Sequence, residues 1–198
     1  MRAVLRARLP ILTVEGVYAA SILVGIAMVH GGSSPALHYR DKLVGDAAKH
    51  DPAAIASNQG NRLRAACTDF AGNLVLGSAP KAVMGMGIVF PYPFIAYQGW
   101  VGGIVSVRGD HSSRLNNVRS AVYYLLTVVL QITAYSLPIG SGVNVGISLF
   151  RPPSYYQGEK FLRLFSKEAL WDLLRVYALA SPLFLVASLW EFFSPWNI

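Results

Sequence analysis

Glu15, Lys81 and Glu191 are ionisable side chains set inside long apolar runs, and that setting gives them their potential chemistry. A charged group at the centre of a bilayer is costly. A residue kept there binds a proton or ion, pairs with another charge, or reaches back to the headgroups. Glu15 lies about one turn inside the first apolar run, placed to hold a proton or cation or to pair with a neighbouring helix; the structural use is the expectation. Lys81 follows Pro80 in a glycine-rich run. It would line a polar cavity, pair with Glu15, or snorkel, and a structural ion pair or snorkelling is preferred to a transport role. Glu191 falls near the expected membrane interface, where a carboxylate is ordinary. Gln131 and Asn144 are expected to make interhelical hydrogen bonds, worth about 0.6 kcal/mol each in measured membrane cases.

Other chemistries find no support in the residue spacing. G-x-S-x-G, H-E-x-x-H, a P-loop and a G-x-G-x-x-G fingerprint are all missing. His30, His38, His50 and His111 fall in connections or at a span end, and none pairs at i, i+4. His30 could ligate a haem or pigment metal, but a solvated interfacial histidine is the expectation, so no cofactor and no metal is assigned. Cys67 is the only cysteine, which excludes an internal disulfide; it is expected as a packed free thiol. The RGD at 108–110 is too short a string to carry an adhesion function.

The elements that must position these residues follow from composition. Of 198 residues, 54% are hydrophobic and 14% charged, against about 25% charged in soluble domains. The charges crowd into residues 2–8, 38–69, 108–119 and 151–175. The net charge of +7 therefore belongs to connections, where Lys and Arg anchor helix ends and bias orientation, and nucleic acid is not the expected partner. One all-α integral membrane domain over 1–198 is predicted: a polytopic bundle of about five spans near 10–29, 68–90, 93–107, 118–137 and 173–193.

The first apolar run is long for a signal peptide, and an uncleaved helix with a cytoplasmic N-terminus is expected. The polar excursion 31–66 should hold a short surface helix, and Asp51-Pro52 reads as an N-cap followed by proline at the first helical position. Pro138 should end the fourth span. The glycine-rich 12-residue run after it is too short to cross, leaving a re-entrant loop, a half-helix or buried packing. Ser154 with Gln157 fits a capping box, opening an amphipathic helix over 154–172 in which Lys160, Arg163 and Lys167 share a basic face suited to anionic headgroups. Trp171 and Trp190 are 19 residues apart, about 30 Å along a helix and close to the separation of the aromatic belts. Five crossings put the C-terminus outside. The bases of 151–175 agree with that orientation and the basic loop 108–119 does not.

From residue 70 onward the order of features resembles the stage II sporulation protein M family. Phe70-x-x-Asn73 with Gly77, Gly85 and Gly87 is similar to that family's asparagine-bearing second helix, and Gln98-Gly99 followed by Gly102 and Gly103 to its Asn-Gly turn. PIGSGVNVG (138–146) resembles its short glycine-rich segment, and PLFLVASLWEFFSP (182–195) its closing helix. Gln98 stands where the family carries asparagine, and an acid often found before the glycine-rich segment is absent at 135–138. The resemblance implies a non-enzymatic bacterial membrane scaffold.

The expected function is thus a non-catalytic scaffold or accessory subunit of a larger assembly in the bacterial inner membrane. Its expected partners are other integral membrane subunits, a second copy of itself, and the bilayer. The alternative is a transport role, as a permease subunit or small channel, using broken glycine-rich helices around Lys81 and Glu15. An intramembrane enzyme would need two convergent polar groups, and Glu15 with Lys81 is the only pair on offer.

Overall fold

The computed structural model describes residues 2–150, 154, 156 and 158–196. It is helical almost throughout, with nine α-helices among the described residues: α1 (Arg2–Arg6), α2 (Arg8–His30), α3 (Ser34–His50), α4 (Pro52–Asn58), α5 (Arg62–Ala71), α6 (Ala79–Gly85), α7 (Pro91–Ile104), α8 (Val118–Phe150) and α9 (Lys167–Phe193). Three of them, α2, α8 and α9, are long and apolar enough to cross a membrane. A π-helical stretch, Gly72–Ser78, joins α5 to α6. The 14 residues of α7 reach only about 21 Å.

Local chemistry accounts for the helix starts. Asp51 caps α4 through the Ala53 amide at 2.8 Å with Pro52 at the first position, as the sequence predicts. Asn61 caps α5 through the Arg64 amide at 3.0 Å, and Ser166 caps α9 through that of Ala169 at 3.3 Å. Each cap satisfies a backbone donor that the first turn leaves unpaired.

The helix directions follow from who touches whom. Gly99 meets Tyr18 and Gly103 meets Ile22 and Gly25, so α2 and α7 run parallel with their backbones in contact. Gly140 meets Ile11 and Tyr135 packs on Tyr18, so α8 runs antiparallel to α2. Gly142 meets Ala82 and Gly146 meets Met86, so α6 and α8 run parallel. Tyr135 packs on Phe184 and Tyr123 on Trp190, so α9 opposes α8. Small residues allow such close approach where dispersion, not water, drives helix association. The main core gathers Val14, Tyr18, Ile22, Ile95, Tyr135, Ile139, Val143 and Phe184 from α2, α7, α8 and α9.

Several expected boundaries move. Pro138 does not end a helix: α8 runs 33 residues through it, about 50 Å. The glycine-rich run is its buried half, since between positions 134 and 148 every residue but Leu137 and Ile147 is buried. Enclosure by α2, α6 and α9 offsets the proline's lost hydrogen bond. The expected span at 68–90 is part of the rod 62–85, which ends in tight turns, with Ile88 at a φ of 62°. The polar stretch 31–66 holds α3, α4 and the first turn of α5.

The amphipathic helix over 154–172 is also corrected. Lys160–Phe161 and Phe165–Ser166 pair as a two-residue antiparallel ladder, with Leu162 and Arg163 at positive φ. The helix starts only at Lys167, so Lys160, Arg163 and Lys167 share no helical face. The proposed capping partner Gln157, and Arg151 with its two prolines, lie outside the described residues.

Candidate functional site

Three polar centres occupy the bundle. The middle one is built on Lys81, in the first turns after the π-helical stretch. Its amine donates to the Gln98 side-chain oxygen of α7 at 2.6 Å and lies 5.0 Å from the centre of the Tyr135 ring, a cation–π distance. The Tyr135 hydroxyl donates to Asn73 Oδ1 at 2.6 Å. Gly77 makes room for that ring: a Cβ there would fall 2.5 Å from the hydroxyl oxygen. Asn73, Gly77 and Lys81 thus meet one tyrosine across a stretch where α-helical spacing is interrupted, and π turns often mark sites of use. Tyr135 is held edge-on by Phe184 at 4.9 Å and by Tyr18 at 6.4 Å.

Glu15 takes no part. Among the described residues no ion pair or hydrogen bond joins it to Lys81, and Lys81 finds its partners in Gln98 and Tyr135 instead. The pair on which an intramembrane enzyme depended is therefore not assembled. A cleft of about 820 Å³ opens beside α4 and α5, lined by Asp51, Cys67, Asp69 and Asn73. Neither it nor the smaller clefts around α6, α8 and α9 is lined by Lys81. Cys67, expected to be packed, is exposed.

The second centre closes the end of the bundle where α1, α6, α8 and the start of α9 meet. Asp172 is 2% exposed. It pairs with Arg6 Nε at 2.8 Å and with Arg175 at 3.1 Å, and accepts from the Tyr156 hydroxyl at 3.1 Å. Arg6 also bridges to Glu168 and lies over the Tyr156 ring. Asn144 donates to the Tyr156 hydroxyl at 2.9 Å, so it bonds as expected, but to the connection and not to a facing helix. Gln131 is half-buried and finds no such partner among the described residues. Asp172 escapes a reading that looks for charges inside apolar runs, because it sits where α9 emerges. The available signal was Glu168, Asp172 and Arg175 at i, i+4 and i+7, opposite the basic first segment.

The third centre lies at the opposite end. Asp41 takes Arg40 at 3.0 Å and His111 at 2.9 Å. These two, His111 first, hold its carboxyl below the usual range. His30 donates to or accepts from Ser113 Oγ at 2.7 Å, and Tyr39, Tyr97 and Trp100 pack together beside it. Glu191, half-buried in the last turn of α9, offers its backbone carbonyl to the Tyr123 hydroxyl at 3.1 Å. Near it, Ser188 Oγ donates to Asp69 at 2.6 Å. Among the described residues no group of three or more His, Cys, Asp or Glu is placed to hold a metal ion.

Compared with family models, with curated proteins and with solved structures, the chain matches none.

Proposed function

We propose that this chain is a non-catalytic membrane scaffold, an accessory subunit that docks against other integral membrane proteins in a bacterial inner membrane. One observation carries the reading: Lys81, the half-buried charge of the middle polar centre, is spent on a hydrogen bond to Gln98 and on the Tyr135 ring. A transport pathway needs its charged group turned toward a passage, and the clefts described above avoid it. The resemblance to the stage II sporulation protein M family points the same way.

In this reading the chain crosses five times, the rod 62–85 and the short α7 completing the set begun by α2, α8 and α9. Arg6 pairs with Glu168 and Asp172, so the basic N-terminus and the start of α9, with Lys160 and Arg163 just before it, share one side, which the excess of bases makes cytoplasmic. On that side the hairpin at 160–166 exposes Phe161, Leu162 and Leu164 beside Lys160 and Arg163, an apolar tip with bases suited to the anionic headgroup layer. Gly16 has no atom within 4 Å of where its Cβ would stand. This leaves a smooth patch on α2 for a second copy or another subunit.

The test is purification of the tagged native protein in mild detergent, with mass spectrometry of what remains bound. One defined membrane protein at constant stoichiometry, or a stable homo-oligomer, is the expected result. A monomer that holds no other subunit would sink the scaffold reading and return the case to transport.

A further inference from the structure

The connection 105–117 folds back on itself. Val107 and Ser113 pair as an isolated bridge, the Arg108 amide donates to the Ser112 carbonyl at 2.9 Å, and the Arg114 amide to that of Ser106 at 2.9 Å. Residues 108 and 114 are then diagonal neighbours on one face of the ribbon. Arg40 reaches the same place from α3. It is 6% exposed, one guanidinium nitrogen lies 3.9 Å from where a Cβ on Gly109 would be, and it is tied through Asp41 to His111.

Three guanidinium groups from two elements therefore meet at this end of the bundle. The Nε of each is buried without a hydrogen-bond partner. Few negative charges answer them. Asp41 contacts Arg40, and Asp110 acts on Arg108 while its hydrogen bonds go to Ser112 at 2.7 and 3.0 Å. Glu191, in the last turn of α9, also acts on Arg114. Burial first, then Arg40 and Arg108, push the Arg114 guanidinium below its ordinary value. Clustering like charges away from water is unfavourable unless an anion joins them. The guanidinium fork matches phosphate oxygens two at a time. The neighbouring Tyr39, Tyr97 and Trp100 mark the depth at which headgroups lie.

We propose that Arg40, Arg108 and Arg114 form a binding site for a phosphate group, supplied by a phospholipid headgroup or by a soluble phosphate compound. This use also explains why the loop 108–119 is basic on the side where the positive-inside tendency would not place it. An orientation signal needs exposed bases, whereas these three are drawn into the fold.

The test uses the full chain, purified in a neutral detergent and stripped of lipid, with its unfolding temperature titrated against three probes: short-chain phosphatidylglycerol, inorganic phosphate, and diacylglycerol of the same chain length. Saturable stabilisation by phosphatidylglycerol alone assigns the headgroup, and stabilisation by inorganic phosphate as well assigns a free phosphate group. In either case Arg108→Gln or Arg114→Gln should weaken the response about tenfold, the loss expected for one charge-assisted contact, while Arg114→Lys, which keeps the charge but not the fork, keeps only part of it. Both positions are half-buried in a connection, and a circular dichroism spectrum matching the wild type verifies the fold. Equal stabilisation by diacylglycerol, no response to either phosphate compound, or an unchanged response in the folded double variant R108Q/R114Q overturns the proposal.

Discussion

Lys81 on α6 and Gln98 on α7 are joined by a 2.6 Å hydrogen bond between helices that run in opposite directions. Seventeen residues separate them, and the turns at 86–90 bring them face to face. The bond ties the short α7 to the rod that precedes it. The Tyr135 ring then links the pair to α8.

A double-mutant cycle on this pair should show coupling. K81M and Q98L each leave a polar partner stranded, and Q98L is the more harmful because it strands the ammonium. The double variant should recover about 1–2 kcal/mol relative to the sum of the singles. Thermal unfolding in detergent measures it, and additive singles would show that the hydrogen bond contributes nothing.

At the end of the bundle, Asp172→Ala should be far more damaging than Arg175→Ala. Asp172 is buried against Arg6 and the Tyr156 hydroxyl, and its removal leaves Arg6 with Glu168 alone and strands the hydroxyl, a loss of about 1–3 kcal/mol. The Arg175 side chain is 61% exposed, and its pair is worth less than about 1 kcal/mol. Equal effects in a denaturation series would contradict the network.

Glycine positions should divide into two groups. A Cβ on Gly85 would lie 2.8 Å from the Val143 amide nitrogen. Gly85→Ala therefore forces backbones apart and should destabilise by about 1–3 kcal/mol. Gly16 has open space, and Gly16→Ala should be neutral or stabilising in the isolated protein by about 0.5–1 kcal/mol. If Gly16 is part of a docking face, the same substitution weakens retention of the bound subunit without lowering stability. Melting curves and co-purification separate the two effects.

Asp41 sets a pH response. Its folded pKa is lowered from the ordinary 3.8 by His111 and Arg40. The contribution is therefore fully present above about pH 4 and lost as pH falls through the folded value. Wild type should exceed Asp41→Asn in stability at neutral pH, and the gap should close on acidification below pH 4. A gap that persisted unchanged would exclude the carboxylate as its source.

Much of this fold is legible in the sequence, because a bilayer leaves apolar runs no alternative. Residues 10–29 match α2 within two residues at each end, 173–193 ends where α9 ends but starts six residues late, and Asp51-Pro52 announces α4 by cap chemistry. Pro138 misleads for a physical reason: a proline ends a helix whose freed carbonyl would face water, whereas this one is enclosed by three other helices. Leu162 and Arg163 mislead in the opposite way. Their residue types suit a helix, and only the backbone shows them in the left-handed region. Lys81 is identifiable as a special position, but its partner is not. Glu15 is the obvious counter-charge on paper, whereas Gln98 and Tyr135 emerge only once α6, α7 and α8 are assembled. The Asp172 cluster is invisible to a search for intramembrane charges, since its members come from both ends of the chain.

The central claim, that the polar centre around Lys81 is a sealed joint and not a passage, is tested most directly by hydroxyl-radical footprinting of the wild-type protein in lipid nanodiscs, read residue by residue by mass spectrometry. Tyr18 and Tyr135 border that centre and react readily wherever water reaches them. The account predicts that both stay unmodified while exposed His111 is labelled. Modification of Tyr135 at a rate comparable to His111 would reveal water beside Lys81, contradict the sealed joint, and favour a transport pathway.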